Sequence, residues 1–332
     1  MPASSPFAVV GHAAVRNWLS HAIASGRLAG SYLFLGPPGV GKRKLAVEFA
    51  AALRCKSPLH GWACGGCNEC TRVAAGVHPN VRQFAKPEDA RDLPVELVRD
   101  ICEQASLTRL EPGQRVFIID DADRFNESSA NAFLKTLEEP PPQLTFVLLA
   151  GNAAQMLPTI ISRCQTVRFS PLSAAELNQI TRDWPALAEV DGRELLLRAA
   201  QGSAGKLERL LDSGALELAQ NFIGSLKADP FKASEQLASA LAKGLPADAA
   251  AELSRERLRD VLGIVAGLMR DQLTAGRDFA GTAPLLEKPS REPAGVDVLM
   301  NSLHRIEDLR ERVDGNANLK LVCDALALAL PG

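Results

Sequence analysis

Ser31-Tyr32-Leu33-Phe34-Leu35 runs directly into Gly36-Pro37-Pro38-Gly39-Val40-Gly41-Lys42-Arg43, and this stretch decides the fold. The apolar run reads as a buried strand, the Gly-Pro segment as a tight turn, and the Ala/Leu/Glu-rich residues 44–53 as a helix. Strand, glycine turn and helix in that order form a phosphate-binding loop. Backbone N–H groups and a helix N-terminus face the phosphates, and a lysine reaches the outer ones. Gly36, Gly39, Gly41 and Lys42 fit that pattern. Its last position calls for a Ser or Thr hydroxyl on Mg²⁺. Arg43 stands there, and a guanidinium carries no acceptor for a cation.

Working outward, residues 12–26 read as an amphipathic helix and residues 95–107 as another. Arg115-Val116-Phe117-Ile118-Ile119-Asp120 is the most β-rich run in the chain, and a helix from Ser128 to Glu138 ends at Pro140-Pro141-Pro142. Residues 145–149 and 165–169 read as two further strands. Strands alternating with helices predict a mostly parallel sheet covered on both faces. Beyond Pro171 the pattern turns helical, with breaks near Pro230, Pro246 and residues 282–294. The fold class expected is α/β followed by all-α. The expected domains are an α/β domain at 1–168, a small helical domain at 169–212 and a helical domain at 213–332.

Asp120 and Asp121 sit at the carboxyl end of the β-rich run, where a metal-orienting aspartate and a water-activating glutamate belong in a hydrolytic site. Asp121 is one methylene short for the second task. With Arg43, two parts of the hydrolytic machinery are altered, so little intrinsic ATP hydrolysis is expected. Binding of ATP or ADP through the glycines and Lys42 stays open.

Cys55, Cys64, Cys67 and Cys70 follow the P-loop helix with spacing C-x8-C-x2-C-x2-C. Thiolates this close can close a tetrahedral four-sulfur site, which suits a structural Zn²⁺. An iron–sulfur cluster and free thiols are the alternatives. Cys102, Cys164 and Cys323 read as buried thiols.

The 332 residues exceed what one core usually supports. With 37 basic and 39 acidic residues the formal net charge is −2, so global attraction to DNA or anionic membrane is not the driving force. Aromatics make up 5%, too few for base-stacking platforms. No stretch approaches the roughly 20 apolar residues of a membrane span, and the first residues lack the basic flank and apolar run of a signal peptide. A cytoplasmic protein is expected.

The thiol insertion after the P-loop helix, Ile118-Ile119-Asp120-Asp121-Ala122-Asp123, Leu137-Glu138-Glu139-Pro140-Pro141 and Ser162-Arg163-Cys164 together resemble the AAA+ subunits of the bacterial DNA polymerase III clamp loader. The resemblance covers the whole first domain. It implies an AAA+ P-loop domain, a helical lid and a C-terminal collar used for oligomerisation. Two subunit types share these motifs, the ATPase motor (tau/gamma) and delta-prime. Motors keep Lys-Ser or Lys-Thr in the loop and an arginine after a Gly-Ser in the lid. Here Lys42-Arg43 and Gly202-Ser203-Ala204-Gly205 stand instead, with Lys206 adjacent. The match is closer to delta-prime, which implies a non-hydrolysing stator within a DNA-directed DNA polymerase holoenzyme, a nucleotidyltransferase.

For Arg163 the resemblance implies an arginine finger on ATP held by a neighbouring motor subunit. Implied partners are the motor and delta subunits, the sliding clamp weakly or indirectly, and primed DNA through the complex. Val261, Leu262, Val265, Leu268 and Met269, with Leu319, Val322, Cys323, Leu326 and Leu330, give apolar helix faces that usually mean internal core, and the resemblance implies a collar for them. The run Arg255 to Asp260 reads as a solvated helix face. A catalytically active AAA+ ATPase, either motor or helicase loader, is the alternative, and a P-loop phosphotransferase is a third reading.

Overall fold

The computed structural model describes residue 7 and residues 9–87, 90–107, 111–188, 190, 192–226, 228–274, 295–315 and 317–330. The chain divides into two compact units, residues 1–180 with 203–205, and residues 181–202 with 206–332. The expected boundaries do not coincide with this division, since the expected 169–212 domain falls partly in each unit.

The first unit is built on five parallel strands in the order β2-β3-β4-β1-β5, counted among the described residues. They are β1 (Ser31–Leu35), β2 (Val81–Phe84), β3 (Arg115–Ile119), β4 (Leu144–Ala150) and β5 (Gln165–Arg168). Its helices are α1 (Ala13–Ser25), α2 (Lys42–Arg54), α3 (Asn68–Ala74), α4 (Val95–Ser106), α5 (Glu127–Glu138), α6 (Pro158–Ile161) and α7 (Ala174–Ile180). Alternation along the strands sorts the core into two layers. Tyr32, Phe34, Val116, Ile118, Val147 and Leu149 pack with Leu19 of α1 and Leu45 and Phe49 of α2. Leu33, Leu35, Phe117, Ile119, Phe146 and Leu148 pack with Val98 and Ile101 of α4 and Phe133 and Leu137 of α5. Burial on both faces explains why β1, β3 and β4 read as continuous apolar runs. This is the α/β part of the expected α/β-then-all-α fold.

β2 is absent from the sequence reading. Val-Arg-Gln-Phe holds one buried residue and lies at the sheet edge, so it shows no apolar run. Its strand state comes from pairing, Val81 to Val116 through Phe84 to Ile119.

The second unit is all helical among its described residues: α8 (Pro185–Ala188), α9 (Arg193–Ala199), most of α10 (Ala204–Asp212), α11 (Ala215–Leu226), α12 (Pro230–Leu241), α13 (Ala250–Thr274), α14 (Val296–Asp314) and α15 (Leu319–Ala329). Asp229 caps α12, its carboxylate accepting from the N–H groups of Phe231 and Lys232 ahead of the fixed φ of Pro230. The break expected at 282–294 lies outside the described residues.

Val261, Leu262, Val265, Leu268 and Met269, and Val322, Cys323, Leu326 and Leu330, are buried within the chain and belong to its core. The large exposed apolar side chains of α15 are Leu321 and Leu328. One expectation for this unit is corrected: the run from Arg255 to Asp260 is not a solvated face. Leu258 and Asp260 are buried, and Arg257 donates to the carbonyls of Leu241 and Lys243. No helix among the described residues is long and apolar enough to cross a membrane.

Candidate functional site

The loop between β1 and α2 lies at the carboxyl edge of the sheet, where open α/β sheets bind ligands. Asp120 and Asp121 follow β3 at the same edge, so the fold brings the predicted nucleotide-site residues together. Their side chains, however, are engaged with the protein itself. The Lys42 amine donates to the carbonyls of Gly36 at 2.5 Å and Pro37 at 2.8 Å. Burial lowers its pKa, against the pull of Asp120, Asp123 and Asp121. Arg43 forms an ion pair with Asp120, the aspartate that would orient a metal in a hydrolytic site. Asp121 has the left-handed backbone angle φ 52°, and burial followed by repulsion from Asp120 raises its carboxyl pKa. The Asp123 carboxylate accepts from the N–H groups of Gly151 at 2.8 Å and Asn152 at 3.3 Å, fixing the end of β4.

The rest of the loop is tied down in the same way. Ser203 Oγ donates to the Pro38 carbonyl at 2.8 Å, and the Gly205 N–H to the Gly39 carbonyl at 3.1 Å. His12 Nε2 donates to the Val40 carbonyl at 2.8 Å. Every carbonyl from Gly36 to Val40 therefore accepts a hydrogen bond from within the chain. Gly205 explains why no arginine stands at its position here. A Cβ there would meet Gly39 Cα at 2.9 Å. Lys206 belongs to the second unit, where burial followed by repulsion from Arg310 lowers its pKa to about 8.

The four cysteines converge. Their sulfurs all lie within 4.8 Å of one another, with Cys55 to Cys67 at 4.0 Å and Cys64 to Cys70 at 3.9 Å. Tetrahedral Zn–S bonds of about 2.3 Å place sulfurs about 3.8 Å apart, so the cluster fits a zinc ion. The N–H groups of Cys64 and Cys67 point at the sulfurs of Cys55 and Cys64, at 3.3 and 3.4 Å, as thiolates require. Below the cluster runs a buried ionic network that the sequence did not announce. Glu69 accepts from Arg54 at 2.9 Å and from His78 Nε2 at 3.1 Å. His78 Nδ1 accepts from the Asn80 N–H at 3.0 Å, so the proton sits on Nε2. Arg72 bridges Glu69 and Glu111. On the other side Arg16 stacks 4.4 Å from the Trp62 ring and pairs with Glu48.

Arg163 follows α6. Its Nε donates to Glu138 Oε1 at 2.8 Å and its Nη1 to the Thr159 carbonyl at 2.9 Å; its Nη2 also reaches Glu138 Oε1. The side chain is 31% exposed.

The sequence model of the family described as "DNA polymerase III, delta subunit" matches residues 11–173. DNA polymerase III subunit delta' of Escherichia coli is 30% identical over 253 residues, covering 75% of this chain and 71% of that one. The chain belongs to the DNA polymerase III delta' subunit family. The delta' subunit of Pseudomonas aeruginosa is 35% identical over 200 residues, 60% of this chain and 61% of that protein. DNA polymerase III subunit tau of Escherichia coli is 31% identical over 199 residues, 59% of this chain and 30% of that protein. The chain thus spans less than two thirds of the length of these last two relatives. Among solved structures, a DNA polymerase III gamma subunit-related protein from Thermotoga maritima aligns over 94% of this chain and 97% of that one, at 18% identity and TM-score 0.47.

Within this delta' family chain, sequence reasoning located the loop, the two aspartates, the thiols and the arginine. It missed the contacts of His12 and Ser203 with the loop, of Asn152 with Asp123, and of Glu69, His78 and Glu111 near the cysteines. Each becomes significant only through partners far along the chain, so no local pattern marks it.

Proposed function

We propose that this chain is the non-hydrolysing stator of the DNA polymerase III clamp loader. In this reading it assembles in the cytoplasm with motor (tau/gamma) and delta subunits, and the complex places the sliding clamp on primed DNA. Contact with the clamp is weak or indirect, and DNA is met through the complex. Its own loop holds no hydrolytic centre, and Arg163 serves the ATP site of the adjoining motor. Zn²⁺ on Cys55, Cys64, Cys67 and Cys70 has no open coordination position, so its role is structural.

One observation carries the reading. The loop that should receive phosphate has its lysine turned back on Gly36 and Pro37, and Arg43 neutralises Asp120 where a metal would sit. A nucleotide would have to break these contacts without gaining a hydroxyl ligand for its metal. Arg163 supports the second half, because an exposed guanidinium can meet charge developing on a phosphoryl group across an interface.

The test compares ATP hydrolysis by this chain alone, by the motor alone and by the assembled complex, each with the wild-type chain and with Arg163→Ala. The expected results are no turnover by this chain alone and a loss of roughly 10³-fold in the complex carrying Arg163→Ala. Turnover by the isolated chain would establish an active ATPase instead. Unchanged hydrolysis with Arg163→Ala would remove the finger.

A further inference from the structure

We infer that Glu138 is the positioning residue that aims Arg163, an inference that rests on the finger reading above. Glu138 closes α5, within Leu137-Glu138-Glu139-Pro140-Pro141, and its side chain is half exposed. Arg163 lies 25 residues further along, after α6, and the two meet only because α5 and α6 end side by side.

The geometry of the pair favours a brace. One carboxylate oxygen accepts from both Nε and Nη2 of Arg163, while the Thr159 carbonyl takes Nη1 at 2.9 Å. Ser162 Oγ stands 3.4 Å from the same Nη1. The guanidinium is thus held on two edges, by a carboxylate on one helix end and a carbonyl on the other. The backbone beneath is fixed as well, because the Arg163 N–H donates to the Ile160 carbonyl at 3.1 Å and the Cys164 N–H to the Ile161 carbonyl at 3.2 Å. A guanidinium has five N–H donors. These contacts leave the outer Nη2 N–H and the weakly held Nη1 N–H for an incoming anion.

Two opposite roles are chemically available to Glu138. As a latch it would compete with phosphate and hold Arg163 back. As a brace it restricts a long, flexible side chain to one pose before the transition state forms, so less freedom is lost on reaction. The carboxylate takes Nε and the adjacent Nη2 N–H through one oxygen and leaves the outer Nη2 N–H, and the guanidinium stays partly exposed rather than turned into the core. Both facts suit a brace.

The experiment is a double-mutant cycle in the assembled clamp loader. Complexes carry wild-type chain, Glu138→Ala, Glu138→Gln, Arg163→Ala or Glu138→Ala with Arg163→Ala; assembly is checked by size-exclusion chromatography. Glu138→Ala is expected to lower kcat about 10- to 30-fold, the weight of an arginine's side-chain freedom, with KM for ATP unchanged. Glu138→Gln keeps an acceptor oxygen at the same reach and recovers most of the rate. In the Arg163→Ala background Glu138→Ala has no further effect.

An unchanged or raised kcat with Glu138→Ala would overturn the inference, as would an equal loss in both backgrounds. Failure of the Glu138→Ala complex to assemble would also overturn it, since that marks a structural role. If Arg163→Ala itself leaves hydrolysis unchanged, the finger reading fails first, which separates that failure from this one.

Discussion

Replacing Glu69 by glutamine removes one charge from the network beneath the cysteine cluster, and its cost follows from what is left behind. The Glu69 side chain is 7% exposed and is shared by Arg54, His78 and Arg72. Arg72 keeps the Glu111 carboxylate and His78 keeps the Asn80 N–H. Of its two acceptors, Arg54, 10% exposed, keeps the Pro112 carbonyl. A buried charge stripped of its partner costs about 3–5 kcal/mol. The surviving Pro112 bond argues for the lower end, about 3 kcal/mol. At about 2–4 °C per kcal/mol for a unit of this size, the first unit should melt about 6–12 °C lower. Differential scanning calorimetry at neutral pH reads this directly. Replacing Arg54 and Glu69 together with methionine should recover much of the loss, because the charge and its partner go together. A fall under about 1 kcal/mol for Glu69→Gln would mean that water or another group already serves Arg54, and the network would not be what anchors the module.

Two further outcomes follow from the same geometry. Cys70→Ser should abolish binding of one zinc per chain, measured by elemental analysis, and lower the melting temperature of the first unit while leaving the second unit's transition in place; iron in the wild-type protein would refute the zinc assignment. Arg43→Thr restores the hydroxyl that the loop lacks, yet ATP titrated calorimetrically should still show no binding at micromolar concentration, and stability should change by under about 1 kcal/mol because the Arg43–Asp120 pair is exposed. Micromolar affinity in that variant would show that Arg43 alone closes the site.

The sequence made legible what depends on local pattern. Central strands buried on both faces announced themselves as apolar runs, and α5 by the residues that stop it, Pro140 to Pro142. Its start lay one residue earlier than expected, because Asn126 and Ser129 exchange reciprocal capping bonds at Glu127. The edge strand β2 was invisible because only Val81 of its four residues is buried and Arg82-Gln83 interrupt any apolar run. The cysteine spacing foretold the sulfur cluster, whereas the Glu69–His78–Glu111 network joins residues 9 and 42 positions apart and carries no spacing signature. The same holds for Arg163, whose residue type was readable and whose partner Glu138 was not.

The glycine loop itself shows why a motif can outlast the chemistry it suggests. Gly36 could not be replaced freely even with no ligand in view, because a Cβ there would lie 2.4 Å from the Phe169 carbonyl oxygen. Gly39 has φ 73°, and a Cβ on it would meet Ser203 Oγ at 2.4 Å. Both glycines are therefore demanded by the turn and by the segment packed on it. Lys42 meets a similar demand, closing two carbonyls that the turn would otherwise leave without a donor. Phosphate binding asks for the same residues, so their presence cannot distinguish a nucleotide site from a self-contained turn. Position 43 can, because packing places no demand on that exposed side chain that a metal ligand would satisfy. It is there, and in the bond it makes to Asp120, that the loop departs from a hydrolytic site.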